Sequence, residues 1–395
     1  MPLHENNRLL AEALERLPLL DGRFRDMKLV NFDSASDQKR GCLSLVFRAY
    51  DTVEEAEVAL KFYDLDPGLA SDMYRLASFH RECEILSRLL NVARCLQIVK
   101  AMGSYNLVID LAPGSAVTLG CRYFAVEWIA DDIDDYFLKQ ETFQAIEKLR
   151  LFKDIVLAVE ALHKHDVFHR DLKVDNLREY EVAGTRSVVA IDLGTAARLD
   201  SAPIAVAYGT QVGARAYASP EAICGLAGIR DLGPVSDTYA LGCLLYELFN
   251  RDLFYQALRA CNTNFDARLA AMGLSVPKSA PAARQLAEWK DSLAVLAVGV
   301  TCPQIDGLGT STPSALGPLL NPLLSSLTHT DFRKRPTLEL VRRTIWSAIT
   351  LLKNEQACRL RVSQMRARRQ RRLAKLAAKE QRLLGNPMKS DCGSC

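Results

Sequence analysis

The chain has 395 residues, 49% hydrophobic and 25% charged, which excludes a disordered or fibrous polymer and leaves room for two lobes or domains. Its formal net charge of +3 hides an asymmetry: residues 359–383 carry ten Lys or Arg against Glu380 alone, so this segment is +9 and the rest of the chain −6. No window approaches the ~18 consecutive apolar residues of a membrane span. Met1 to Arg25 also lacks a basic start, an apolar run and a small-residue cleavage site, which predicts a cytoplasmic protein. The eleven cysteines stand singly in apolar stretches, as at Cys42, Cys83, Cys121 and Cys243, and read as reduced, buried thiols. The lone CxxC pair, Cys392 and Cys395, has no folded context.

In chain order, residues 3–17 place Leu9, Leu10, Ala13, Leu14 and Leu17 at helical intervals before Pro18, which predicts a helical N-terminal extension over 1–25. From Met27 to Asp64 three β-rich runs, KLVNF, CLSLVFRAY and EVALKFY, predict three antiparallel strands. A helix over 71–90 and strands at 96–99, 105–111 and 122–128 follow, so residues 26–128 read as a sheet with one main helix. Beyond Trp128 the apolar spacing turns helical over 143–163, 236–249 and 337–352, and residues 129–350 read as mainly α. Residues 252–326 are rich in Ala, Pro and Ser and read as an inserted or elaborated region; 351–395 read as a basic helical tail, partly disordered. There is no internal repeat.

The string HRDLKVDN, residues 169–176, follows a helix and precedes two β-like runs at 177–182 and 186–191. Phosphoryl transfer needs a carboxylate to accept a hydroxyl proton and a nearby ligand for a metal on the triphosphate; Asp171 and Asn176 supply both on one loop. Lys173 can neutralise charge on the moving phosphate. Sixteen residues past Asn176, Asp192-Leu193-Gly194 ends the apolar strand VVAIDLG.

With these motifs in this order, the chain over about residues 26–350 resembles the eukaryotic-like (Hanks-type) serine/threonine protein kinases. The resemblance implies an α+β bilobal fold: an antiparallel-sheet N-lobe with one main helix, a mainly α-helical C-lobe and here a basic C-terminal helix. It implies ATP and Mg2+ (or Mn2+) as cofactors, with Asn176 and Asp192 as metal ligands. Lys61 in EVALKFY would hold the α- and β-phosphates, with Glu82 of RECEIL as its partner. Gly41, Val46, Ala59, Glu127 and Ile129 would complete the nucleotide site, with Val126 at the back of the adenine pocket. Pro220-Glu221 in GARAYASPE would end an activation segment, Arg335 of RKRPT would bind Glu221, and Asp237 of SDTYALG would anchor the catalytic loop. The implied activity is transfer of the γ-phosphate to Ser/Thr hydroxyls of a protein substrate, autophosphorylation included.

Three positions depart from the family. Its phosphate-covering GxGxxGxV aligns with KRGCLSLV, which keeps only Gly41; Lys39 and Ser44 replace the other glycines, with Lys39 and Arg40 expected to compensate by charge. Ala214 stands where a Thr is usual, and Arg178 stands where an apolar residue lies under adenine, which predicts a local bulge. Arg170 beside Asp171 is the pattern of kinases ordered by an activation-loop phosphate, with Ser201, Tyr208 and Thr210 as acceptors. The degraded loop keeps open a pseudokinase scaffold acting through partners and its tail; a small-molecule kinase is disfavoured by Pro220-Glu221 and Arg335. The basic stretch 359–383 reads first as a solvated helix, then as a site for nucleic acid or another polyanion, without aromatic residues to stack on bases. Oligomeric state has no sequence signature here.

Overall fold

A computed structural model of the chain describes residues 2–39, 44–70, 72–112, 115–182, 184–198, 213–297, 299–305 and 316–384. Helix α1 (Glu5–Arg16) begins where the His4 ring accepts the Asn6 N–H, and it buries Asn7, Leu10, Ala11 and Leu14. Strand β1 (Phe24–Leu29) follows, then β2 (Phe32–Asp33), β3 (Gln38–Lys39), β4 (Ser44–Asp51) and β5 (Ala56–Tyr63). After α2 (Pro67–Ala70), Asp72 caps α3 (Met73–Arg88) by accepting the Tyr74 N–H. The hairpin β6 (Ile98–Ala112) and β7 (Ser115–Glu127) completes a five-stranded antiparallel sheet in the order β1-β4-β5-β7-β6.

Residues 27–64 therefore hold more strands than the three predicted, because the short β2 and β3 pair only with each other. The runs predicted separately at 96–99 and 105–111 form one strand, and its partner starts at Ser115 instead of Arg122. Two register shifts, Ile98/Lys100 and Lys100/Gly103, carry the ladder through a stretch whose side-chain alternation fails. The hairpin tip projects past the core, leaving Val108 and Val117 exposed, so burial does not mark it in the sequence.

The sheet is buried on both faces, which is why β5 reads as a nearly unbroken apolar run. Leu45, Phe47, Leu60 and Phe62 pack with Leu10 and Leu14 of α1 on one face. Ala59, Phe124 and Val126 pack with Phe79 and Leu86 of α3 on the other, continuous with the main core.

The rest of the chain contains β8 (Asp131–Asp132), α4 (Asp134–Leu138), α5 (Ala145–His163), β9 (Val167–Phe168), β10 (Leu177–Val182), β11 (Thr185–Ala190) and β12 (Ala197–Arg198). Then come α6 (Pro220–Ile223), α7 (Gly233–Glu247), α8 (Phe254–Cys261), α9 (Phe265–Ser275), α10 (Ala282–Ala297), α11 (Leu316–Leu327) and α12 (Leu338–Leu384). Helix α7 is buried nearly all round. A Cβ on its Gly242 would lie 2.5 Å from the Thr328 methyl, so glycine sets how closely the end of α11 approaches. The region read as broken helical patterns, 252–326, supplies α8 to α11, with Trp289 fully buried in the main core. Helix α12 rests on α5 and α11 through Val341, Ile345, Ala348 and Leu352, then continues unbroken with residues 356–378 exposed throughout.

Cys83, Cys95, Cys121, Cys224 and Cys243 are free and buried, whereas Cys261 and Cys358 are exposed; Cys42, Cys392 and Cys395 lie outside the described residues. Among the described residues no helix is long and apolar enough to cross a membrane.

Candidate active site

Lys61 sits in β5 on the sheet face that meets α3. Its Nζ lies 2.6 Å from Glu82 Oε1 and 3.5 Å from Asp192 Oδ1. The same Glu82 oxygen accepts the Leu193 N–H at 3.2 Å, so one buried carboxylate ties together the β5 lysine, α3 and the segment after β11. Asp192 adopts a left-handed conformation (φ 61°), which turns Leu193 fully into the core and leaves the aspartate side chain 47% exposed. Burial alone would lower the lysine, but Glu82 and Asp192 together hold Lys61 above its usual range. Burial pushes Glu82 upward against the pull of Lys61, whereas at Asp192 the attraction of Lys61 overcomes burial and holds the carboxyl below its usual range.

Across from this cluster, Asn176 donates through Nδ2 to the Asp171 carbonyl at 2.8 Å and to its Oδ2 at 3.2 Å. Lys173 Nζ is 3.8 Å from the same carboxylate, and the Ala214 N–H donates to Oδ1 at 2.7 Å. At Ala214 a backbone amide therefore reaches Asp171 without a hydroxyl. Gly213 makes this approach possible: its φ is +80°, and a Cβ there would lie 2.6 Å from the Arg170 carbonyl oxygen. Burial raises the Asp171 carboxyl above its ordinary value, opposed by Lys173 and the Ala214 amide.

The loop is held from behind by the buried Asp237 carboxylate, which accepts the His169 N–H at 2.8 Å and the Arg170 N–H at 2.7 Å and lies 2.9 Å from His163 Nε2. The His169 ring bridges to the Ile191 carbonyl at 2.8 Å, joining the two acidic segments. The Arg170 guanidinium donates to the carbonyls of Thr195 at 2.9 Å and Ala227 at 2.8 Å. Glu221 and Arg335, both fully buried, form a bidentate pair at 2.5 and 2.9 Å.

Along the sheet, the pairings Val46↔Lys61 and Ala59↔Val126 put Val46, Ala59 and Val126 on the Lys61 face. The Glu127 amide donates to the Gln97 carbonyl at 3.0 Å, its carboxylate accepts the Gln97 N–H at 2.8 Å, and half-buried Ile129 packs on the core. Gly41 and Arg40, with Ser201, Tyr208 and Thr210, lie outside the described residues.

Two expectations change. Lys39 does not face the cleft as a spare cation; its buried Nζ binds Asp64, whose other oxygen accepts from Asn7 Nδ2 of α1 at 2.7 Å. Arg178 causes no bulge, since β10 pairs with β11 residue for residue, and its guanidinium folds back on the carbonyls of Asp175 and Leu177 at 3.0 and 2.9 Å. Sequence reasoning passed over His163, His169, Asn7 and Asp64, and also Glu247, whose carboxylate accepts the Tyr217 hydroxyl at 2.7 Å.

The donor set suits a hard divalent cation. Asp192 offers a half-exposed carboxylate, and Asn176, with its nitrogen committed to Asp171, offers its amide oxygen. Among the described residues no three His, Cys, Asp or Glu side chains form a closed metal site.

The model of the protein kinase domain matches residues 40–347. The human hormonally up-regulated neu tumor-associated kinase is 27% identical over 199 residues, 50% of this chain and 24% of that protein. Its homolog A from Xenopus laevis is 26% identical over 215 residues, 54% and 28% of the two chains. The carbon catabolite-derepressing protein kinase of Saccharomyces cerevisiae is 27% identical over 223 residues, 56% and 31%. The alignments thus span about a quarter to a third of these relatives' own length.

Proposed function

Since this chain belongs to the protein kinase family, we propose that it is an active enzyme that moves the γ-phosphate of ATP to serine and threonine hydroxyls of proteins, itself included. The observation that carries the reading is the double use of Glu82 Oε1, by Lys61 Nζ at 2.6 Å and the Leu193 N–H at 3.2 Å. That contact holds the lysine, α3 and Asp192 in register with the loop bearing Asp171.

In this reading Lys61, kept cationic by its two carboxylates, binds the α- and β-phosphates. Asn176 and Asp192 hold Mg2+ or Mn2+, which when bound neutralises charge on the phosphates. Asp171, fixed by Asn176 and the Ala214 amide, takes the hydroxyl proton, and Lys173 stabilises charge on the transferring group. Val46, Ala59 and Val126 form an apolar wall for adenine, with Glu127 to Ile129 offering backbone groups and Gly41 covering the phosphates. Lys173 after Asp171 favours serine and threonine over tyrosine, and the buried free thiols favour a reducing compartment such as the cytoplasm.

The test is transfer of radiolabelled γ-phosphate from Mg-ATP to the protein and to a generic basic protein, beside Asp171→Ala. Label on Ser or Thr that falls by at least about 1000-fold in the variant supports the enzyme. Folded wild type that labels nothing leaves the pseudokinase scaffold, the reading that sequestration of Lys39 in its ion pair favours.

A further inference from the structure

Helix α12 outgrows the body that anchors it. Among the residues whose burial is described, Leu352 is its last buried one, and residues 356–378 are exposed throughout. Over residues 351–384 Ser363 carries the sole hydroxyl, with Arg359 and Arg361 before it and Arg366 and Arg368 after it. At ~1.5 Å per residue Ser363 stands about 16 Å beyond Leu352 along the helix, three turns past the last residue that packs on the body.

The rim of the cleft has the opposite charge. Asp175 belongs to the same loop as Asp171 and Asn176, and its side chain is 77% exposed. Pairing of β8 with β10, and of α4 against the 3-10 turn Val174–Asn176, brings Asp132 and Asp134 beside it. Burial and then the nearby Asp132 and Asp175 raise the Asp134 carboxyl, so negative charge accumulates there. Two cations stand nearby: Lys173 Nζ lies 3.8 Å from Asp175 and shares itself with Asp171, and Arg178 has one guanidinium nitrogen committed to main-chain carbonyls of Asp175 and Leu177, so three carboxylates still outnumber them. A basic segment with a single acceptor and an acidic rim around a transfer site thus occur on one molecule, in positions that a second copy can bring together.

We propose that Ser363 is phosphorylated in trans by a second copy of this chain, its arginine flanks seated on the Asp132, Asp134 and Asp175 rim. This rests on the active-kinase reading above. Asp171 of the acting copy takes the Ser363 hydroxyl proton as the Oγ–Pγ bond forms, and the bond from Pγ to the bridging oxygen breaks to release ADP. Ser363 first gives up its 2.8 Å bond to the Leu360 carbonyl. The local opening this needs is confined to helix that makes no buried contact. In the product the phosphate lies one turn from Arg359 and from Arg366, the spacing at which opposite charges pair on a helix.

The experiment mixes full-length wild type with an excess of differently tagged Asp171→Ala chain in labelled Mg-ATP, with a generic basic protein in a parallel reaction, and maps phosphopeptides. Label is expected at Ser363 of the Asp171→Ala chain, at a rate first order in wild type, and absent from Ser363→Ala, which still labels the generic protein. Asp132→Asn with Asp134→Asn is expected to raise KM for a peptide spanning residues 357–369 about tenfold. Transfer to the generic protein with Ser363 unlabelled, or labelled only within the chain that carries out the transfer, overturns the inference and leaves the kinase reading standing. No transfer to any acceptor overturns the kinase reading, and this inference falls with it.

Discussion

Lys39 and Lys61 are both buried, and each has its Nζ on a carboxylate from another element, Asp64 for the first and Glu82 for the second. Around Lys39 the set is closed. Both side chains are under 5% exposed, Asn7 holds the second Asp64 oxygen, and the Leu65 N–H donates to Asn7 Oδ1 at 2.8 Å. Around Lys61 it is open, because Asp192 adds a second carboxylate at 3.5 Å that is 47% exposed. A buried ion pair by itself marks no chemistry, since its attraction is largely consumed by desolvation. What separates the two lysines is the further anionic group on the solvent side, where a cation and phosphates can enter. Glu247 makes a third case, a buried carboxylate whose partner is the neutral Tyr217 hydroxyl, and burial pushes it to about 7 despite that bond.

Replacing each partner separates the three. Lys61→Met should give the largest effect on turnover, a loss of at least about 100-fold in phosphate transfer. The fold should survive, because burial already favours protonated Glu82; the measurement is kcat beside the denaturation midpoint. Lys39→Met should do the reverse. It strands Asp64, which Lys39 and Asn7 hold below its usual range against burial, at a cost of about 3–5 kcal/mol in denaturant unfolding, with activity kept while the protein stays folded. A folded Lys39→Met as inactive as Lys61→Met would return Lys39 to the phosphate site. The smallest effect belongs to Glu247→Gln. Because the folded state binds the Glu247 proton more tightly than the unfolded chain, stability should fall as pH rises from about 4.5 to about 7 and then level off. The Gln variant should lack that fall in midpoints recorded at pH 5 and 8.

The catalytic loop was readable because Asp171, Lys173 and Asn176 lie within six consecutive residues whose types meet one chemical need. Lys61, Glu82 and Asp192 are spread over 131 positions, and only motif order related them before the structure joined them. Nothing equivalent marks Asn7 and Asp64, 57 residues apart, since an Asn on the inner face of an amphipathic helix looks like an interruption of the apolar stripe. Lys39 was misjudged for a related reason: alignment to a phosphate loop gives its position in the chain but not the direction of its side chain. The β6–β7 hairpin was underestimated because its outer half is ladder without core, and its hydrogen bonds leave no trace in side-chain pattern.

The continuity of α12 has a mechanical consequence. While α12 is intact it runs unbroken from the turns that pack on the body to those that stand free, so its exposed half is a lever with the Val341–Leu352 stripe as fulcrum. From Leu352 to residue 378 the arm is about 39 Å long at ~1.5 Å per residue. The stripe rests on α5, linked to it by Arg342 and Glu160 at 3.6 Å, and α5 ends at His163, which touches the Asp237 that holds the catalytic loop. A sideways load on the far end of α12 is therefore delivered as torque to the helix that backs Asp171.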